Sequence, residues 1–557
     1  MYPLINDKLF YKKINDKYHD YKIKNPPNDL KTVCYPKKYK LQPHQLFAPA
    51  YINPRTPYSG VLLYYGIGAG KSCASIRIAE EWIKKGYKII VVVPASLKGN
   101  YRNEIRSLCT GENYLMNKER DALKTTDKEG TSKIISLSDK RIDEHYTIYS
   151  YNGFITGIKE NEIKLTKTVL IIDEIQNLVS EYGTYYQTLY AFIKKAPTST
   201  RIVLLSATPI FDKPVEIALT LNLLQLPKEL PTGRDFYNFF FNKDHTVKNL
   251  DIFKERIKGF VSYYRGAPEI SYPKKVIHYV KCTMDDFQYK AYLTAAQEVT
   301  KGTSLRPFTE GDISELPDDF LLGLRMISNV AFPNKNIGAE GFSSFSGNNL
   351  KHLKKYSIKF YKIMNKIKHC YGPLFIYSGF REYGGIEPLI KVLEYNGYVN
   401  YQHNGVGKKR YAIWSGQEKS AYREEFKAVF NRPENVDGSL IKIIIGSPSI
   451  KEGVSLFRVK QVHILEPYWN MSRIEQVIGR AVRFCSHKDV PSKERLVEIF
   501  IYIAVHGDEK FSVDYRILNM ALQKIEMNMP FELALKEASV DCYLNKEANG
   551  QDIVCEK

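Results

Sequence analysis

Val61-Leu62-Leu63-Tyr64-Tyr65-Gly66-Ile67-Gly68-Ala69-Gly70-Lys71-Ser72 is the stretch on which the fold turns. An apolar run of strand length passes directly into glycines and then into Cys73-Ala-Ser-Ile-Arg-Ile-Ala-Glu80, which reads as a helix. Strand, glycine loop and helix are the context of a phosphate-binding loop. Gly66, Ile67, Gly68, Ala69 and Gly70 turn backbone N–H groups toward an anion, and the helix N-terminus adds its partial positive charge. In that reading Lys71 reaches the β- and γ-phosphates and Ser72 ligates Mg²⁺. A strict pattern has glycine one position earlier, where this chain has Tyr65.

Working outward, Val169-Leu-Ile-Ile-Asp173-Glu174-Ile-Gln176 ends a second apolar strand in two acids. Asp173 is suited to hold Mg²⁺ through water and Glu174 to polarise an attacking water, so with the loop they make an ATP and Mg²⁺ site. Leu204-Leu-Ser206-Ala207-Thr208-Pro209 ends another strand in hydroxyls that can bond those acids and sense a γ-phosphate. Far along the chain, Gln476-Val-Ile-Gly479-Arg480-Ala-Val-Arg483 spaces two arginines three apart, as one face of a helix would. The pair is read either as a transition-state clamp on γ-phosphate or as a solvated basic face.

Around these motifs the chain alternates strand-like and helical stretches. Gly60 to Tyr65, Lys88 to Val93, Tyr146 to Tyr149, Thr168 to Ile172 and Arg201 to Leu205 form one set. Pro373 to Tyr377, Ile441 to Ile445, Gln461 to Leu465 and Val497 to Ile503 form another. Near-continuous apolar strands separated by helices indicate parallel sheets buried on both faces, hence an α/β fold with two lobes in tandem. The boundaries read from the chain are a basic N-terminal extension (1–40), an ATP-binding lobe (41–228), a linker or inserted mixed region (229–345), a second lobe (346–507) and a helical C-terminal segment (508–557).

The 557 residues, 44% hydrophobic, exceed what one core needs. A formal charge of +20 favours a polyanionic partner such as nucleic acid, although on its own it is read equally well as solubility. Eight scattered cysteines with no CxxC pair suggest a reducing, intracellular compartment. No apolar run has membrane-span length, so neither export nor a membrane partner is expected.

Taken together and in this order, the blocks resemble a superfamily 2 helicase or translocase. Leu41-Gln-Pro-His44-Gln45 is similar to an adenine-recognition element, Val93-Pro-Ala-Ser96-Leu97 to motif Ia, Asp173 to Gln176 to motif II, Ser206 to Thr208 to motif III, Ser447 to Gly453 to motif V, and Gln476 to Arg483 to motif VI. Finer blocks, Ile257 to Gly266, Glu466-Pro-Tyr-Trp469-Asn470-Met-Ser-Arg473 and Arg480 to His487, look like the Swi/Snf-related DNA-dependent ATPases of large nucleocytoplasmic DNA viruses. That group includes poxvirus nucleoside triphosphatase I and the early transcription factor small subunit. The resemblance implies two RecA-like lobes, Gln45 on adenine, Gly453 at the nucleotide, and Gln476, Arg480 and Arg483 on the γ-phosphate, with Arg483 as the arginine finger. It also implies DNA more than RNA as the track, a role in initiation or in termination and transcript release, RNA polymerase or transcription factors as partners, and a place in the host cytoplasm or virion. Motif V departs at Ser447, where many relatives have threonine, and at Ile450-Lys451-Glu452 before its glycine.

Nucleic-acid contacts implied by the resemblance are Ser96, Lys98, the segment around Tyr149, Ser378 to Arg381, and Ser447. Trp469 is read either as a base-stacking residue or as packing at the joint between lobes. Residues 351 to 368 carry seven lysines and no acid, with Lys351, Lys355, Lys359, Lys362 and Lys366 on one helical face. That face is either solvated over a core stripe or a nucleic-acid surface. His463, inside a strand, reads as a core histidine.

Overall fold

The computed structural model describes residues 2–302, 322–451, 454–507, 512–550 and 552–557, with side chains of 296–302 and 451 outside the description. The chain divides into two compact units, Met1–Ser271 with Lys524–Lys557, and Tyr272–Gln523.

In the first unit β1 (Gly60–Tyr65), β2 (Lys88–Val93), β3 (Tyr146–Ser150), β4 (Thr168–Ile172), β5 (Arg201–Ser206) and β6 (Val261–Tyr264) form one parallel sheet in the order β3-β2-β4-β5-β1-β6. Side chains alternate between its two faces. Leu62, Tyr64, Leu170, Ile172, Ile202 and Leu204 enter one core, and Val61, Leu63, Tyr65, Val91, Ile171 and Val203 enter the other. Both faces being covered, the strands read as continuous apolar runs. The order matters for function: β5 lies between β1 and β4, so the chain after Ser206 emerges between the phosphate loop and the acids.

In the second unit β7 (Lys274–Thr283), β8 (Leu374–Tyr377), β9 (Val399–Asn400), β10 (Arg410–Trp414), β11 (Ile443–Gly446), β12 (Gln461–Ile464) and β13 (Leu496–Val505) form a seven-stranded parallel sheet, ordered β7-β13-β12-β8-β11-β10-β9. Two parallel-only sheets clad in helices are the tandem α/β architecture expected.

Several parts differ from the reading of the chain. Strand β6 comes from the region taken as a linker, yet it pairs with β1 (Leu62 to Val261, Tyr65 to Tyr264). Strand β7, at a sheet edge, is mostly exposed or half-buried and shows no apolar run, so its sequence does not announce it. The C-terminal helix Val513–Glu537 buries Val513 and Ile517 in a core of the second unit, whereas Phe531, Ala534 and Leu535 join a core of the first. Phe531 meets Phe236, Phe240, Phe241 and Phe253 at ring-centroid distances of 5.3, 5.5, 5.9 and 5.3 Å.

The basic extension is also packed. Its helix Phe10–Lys17 buries Phe10 and Ile14 completely and leaves its lysines outward, and the Tyr11 hydroxyl donates to the Ala538 carbonyl at 2.9 Å. Spacing of four between Phe10, Ile14 and Tyr18 makes an apolar stripe that a count of charges conceals.

Cys73 with Cys109 and Cys542 with Cys555 are disulfides, their Cα atoms 5.8 and 5.6 Å apart, which corrects the expectation of reduced cysteines; Cys282 and Cys370 are free. Separations of 36 and 13 residues gave no local pattern. Among the described residues no helix is long and apolar enough to cross a membrane.

Candidate nucleotide-binding and hydrolysis site

The phosphate loop leaves β1 at Tyr65 and enters the helix Lys71–Ile83. Gly68 and Gly70 have φ of +78° and +73°, the left-handed region that glycine adopts without strain. Gly66 answers to space instead: a Cβ there would come 1.9 Å from the Arg265 carbonyl oxygen. Its N–H donates to the Tyr264 carbonyl at 2.9 Å, so the loop is seated on the end of β6. Ile67 and Gly68 are exposed and Ala69 is buried. With the helix dipole behind it, the turn presents a cradle for polyphosphate.

From this cradle a chain of polar contacts runs through all three first-unit motifs. Lys71 Nζ meets Glu174 Oε1 at 3.1 Å, Gln176 Nε2 donates to Glu174 Oε2 at 2.6 Å, and the Ser206 hydroxyl donates to Gln176 Oε1 at 2.7 Å. Ser206 Oγ then accepts from the Thr208 N–H at 3.0 Å. Glu174 sits at φ +50°, a conformation costing about 1 kcal/mol for a residue with a Cβ, and the Tyr151 hydroxyl holds that turn by donating to the carbonyls of Asp173 and Glu174 at 2.7 and 3.0 Å. Asp173 is buried, and burial first, then the neighbouring Glu174 charge, pushes its carboxyl above the usual range while Lys71 opposes. Gln176 and Tyr151 were not assigned tasks from sequence. The available signal for Gln176 was a polar residue two places after the acid pair at the end of a buried strand.

Gln45 is buried. Its Oε1 accepts from the Gln42 N–H at 2.9 Å and its Nε2 reaches the Gly70 carbonyl at 3.4 Å, so the amide is engaged with the phosphate loop itself.

In the second unit, Gln476 lies on the helix Met471–Ile478, which ends at Gly479. Arg480 and Arg483 therefore follow the helix, in a turn whose Arg480 and Ala481 N–H groups donate to the carbonyls of Val477 and Ile478 at 3.0 Å, which corrects the reading that put both on the helix itself. Arg480 folds back, its Nε donating to the Gln476 carbonyl at 3.1 Å and its Nη1 to that of Val454 at 3.4 Å. Arg483 is half-buried, burial presses its pKa downward with Tyr272 opposing, and among the described residues no carboxylate pairs with it. Such a guanidinium favours an anionic ligand. Gly453 lies outside the described residues.

The nucleic-acid candidates separate by burial. Ser96 is exposed and Lys98 half-exposed after β2. Ser447 is buried, its hydroxyl 3.0 Å from that of Ser449. Ser378 is fully buried against the Glu466 carboxylate, and Arg381 is half-buried and pairs with Glu418 at 3.6 Å. Trp469 stacks on Tyr468 at 4.1 Å and lies 5.1 Å from the buried Arg325 guanidinium. The lysine stretch is corrected: the helix starts at Ile358, with Ser357 as its cap, so Lys351 and Lys355 belong to separate turns. Lys359 is completely buried, 2.6 Å from Asp514. His463 is a core histidine, its Nδ1 2.8 Å from the Tyr502 hydroxyl.

Residues 11–327 match the family described as SNF2-related domain and residues 387–485 that described as helicase conserved C-terminal domain. A protein of Acanthamoeba polyphaga mimivirus named "Putative ATP-dependent RNA helicase" is 50% identical over 100% of this chain and 99% of its own length. An Invertebrate iridescent virus 3 protein named "Putative helicase" is 30% identical over 91% of this chain, which spans only 54% of that relative. A "Termination factor NPH-I homolog" of African swine fever virus is 27% identical over 88% of this chain and 77% of its own.

Proposed function

Since the chain belongs to the SNF2-related, superfamily 2 helicases of large DNA viruses and is an ATP-hydrolysing enzyme of that kind, we propose that it is a nucleic-acid-dependent translocase working on DNA during viral transcription. The observation that carries the reading is the continuous path Lys71–Glu174–Gln176–Ser206. It joins the phosphate-gripping lysine, the acid suited to activate water and the hydroxyl motif in one unit, so arrival of a γ-phosphate at Lys71 is felt at Thr208.

Lys71, drawn from Glu174 to the phosphates, frees that carboxylate to orient the attacking water. The hard oxygens of Ser72 and Asp173 fit Mg²⁺, and the burial that disfavours the Asp173 charge is what a cation beside it relieves. Bound there, Mg²⁺ would supply charge neutralisation at the β- and γ-phosphate oxygens. Arg483, assisted by Arg480 and Gln476, is the proposed donor to γ-phosphate from the second unit. Cycles of closing and opening then step the units along a strand. A role at termination and transcript release is supported by the name of the African swine fever virus relative, and it calls for RNA polymerase or transcription factors as partners and for the host cytoplasm as location.

ATPase rates measured with single-stranded DNA, duplex DNA and RNA in turn test the reading: stimulation is expected, greatest with DNA. Lys71→Ala, Glu174→Gln and Arg483→Ala should each lower turnover by at least about a hundredfold. A parental rate in Arg483→Ala would remove the arginine finger assignment. The name of the mimivirus relative favours a second reading, RNA unwinding. Strand displacement without triplex displacement would select it.

A further inference from the structure

His44 precedes Gln45 on the helix Pro43–Tyr51 and is 2% exposed. Its ring stacks on Tyr264 at a centroid distance of 3.7 Å and meets Tyr65 edge-on at 5.2 Å. Nε2 lies 2.7 Å from the Ala69 carbonyl oxygen, and among the described residues Nδ1 has no hydrogen-bond partner. Burial holds the ring neutral at neutral pH, with a pKa pushed down to about 4. A carbonyl only accepts, so the proton is on Nε2.

That bond has a directional consequence. In a trans peptide the N–H points opposite to the C=O, so a carbonyl of Ala69 turned in toward His44 turns the Gly70 N–H away from His44. Gln45, reaching the Gly70 carbonyl at 3.4 Å, acts in the same sense on the next peptide and the Lys71 N–H. Two successive residues of one helix thus orient two successive donors of the cradle.

The stack on Tyr264 ties this arrangement to β6, whose outer edge has no partner strand among the described residues. Its polar groups are satisfied by the C-terminal segment instead. The Val540 N–H donates to the Val261 carbonyl at 2.8 Å, the Tyr263 N–H donates to Asp541 at 2.9 Å, and the Arg265 N–H donates to Asn549 Oδ1 at 2.7 Å. Asp541, fully buried, also accepts from the Ser262 hydroxyl at 2.6 Å, which is 2.9 Å from the Tyr65 hydroxyl.

We propose that His44 is a positioning residue for the triphosphate, and that Asp541 and Asn549 of the C-terminal segment hold the strand against which it is set. The inference rests on the ATPase reading and extends it: residues 541 and 549 support the nucleotide site through β6.

The test uses the full chain, with equilibrium binding of a fluorescent ATP analogue, KM and kcat for ATP, and thermal melting. His44→Phe keeps the stack and loses the donor; KM and Kd should rise about fivefold to tenfold while kcat changes by less than about twofold. His44→Gln, which keeps an N–H for Ala69, should stay within about twofold of the parent. Asn549→Ala should weaken binding in the same direction, and carries the comparison if His44→Phe does not fold. Parental binding in both His44→Phe and Asn549→Ala, or equal losses in His44→Phe and His44→Gln, would overturn the proposal. A parent that neither binds nor hydrolyses ATP would instead overturn the ATPase reading.

Discussion

Tyr65 stands where a strict phosphate loop has glycine, and its surroundings explain the exchange. The ring is fully buried and its hydroxyl lies between Ser262 Oγ at 2.9 Å and the His44 carbonyl at 3.4 Å. The residue ends the strand and supports the loop from below, while the need for glycine falls on Gly66, pressed against Arg265. His463 illustrates burial in another way. Burial first and Lys366 second push its pKa down to about 3. In the unfolded chain its imidazole protonates below about 6.5 while the native ring stays neutral, so the unfolded state binds more protons and stability falls with pH by about 1.4 kcal/mol per unit through that window. Glu466, whose pKa burial raises, changes stability in the opposite sense, so the comparison must be with His463→Gln. Denaturant midpoints at pH 7.5 and pH 5 should show the parent losing ground to the variant at the lower pH; an unchanged gap would contradict this account.

At the scale of elements, the stretch from 351 to 368 shows what periodicity alone cannot distinguish. Its lysines repeat at helical spacing, yet Ser357 interrupts the helix and accepts the Phe360 N–H at 3.1 Å. Lys359 then turns into the core, where Asp514, Asn329 and the Leu465 carbonyl receive its ammonium. Removing one member of a buried pair leaves the other charge uncompensated. Lys359→Ala should therefore destabilise by about 3–5 kcal/mol, and exposed Lys351→Ala by less than about 0.5 kcal/mol, in urea denaturation. Similar losses for both would place Lys359 on the surface. Strand β6 carries the complementary lesson. Val261-Ser-Tyr-Tyr belongs to a block legible as family-like, but its membership in the first sheet depends on pairing with β1, two hundred residues earlier, which no local pattern encodes.

For the whole molecule, the two units are not successive halves of the chain, because residues 524–557 belong with the first. Truncation after Gln523 would remove Phe531, Ala534, Leu535 and Ala538 from the core of that unit and strip β6 of its edge partners. Losing one buried Phe alone costs about 3–5 kcal/mol, so the truncated protein should be insoluble or lack a cooperative melt. A soluble, ATP-hydrolysing fragment 1–523 would refute this.

The sequence by itself determined the chemistry and the class of fold. A glycine loop, an acid pair and strands buried on both faces each leave a signature within a dozen residues, because backbone conformation and side-chain period are local properties. The tertiary structure alone decided that β5 lies between β1 and β4, that Gln176 joins Glu174 to Ser206, that Lys359 is buried, and that His44 and the C-terminal segment set the phosphate loop. The reason is that burial, strand order and hydrogen-bond partners are fixed by which distant segments come together, and the spacing of residues along the chain carries no record of that.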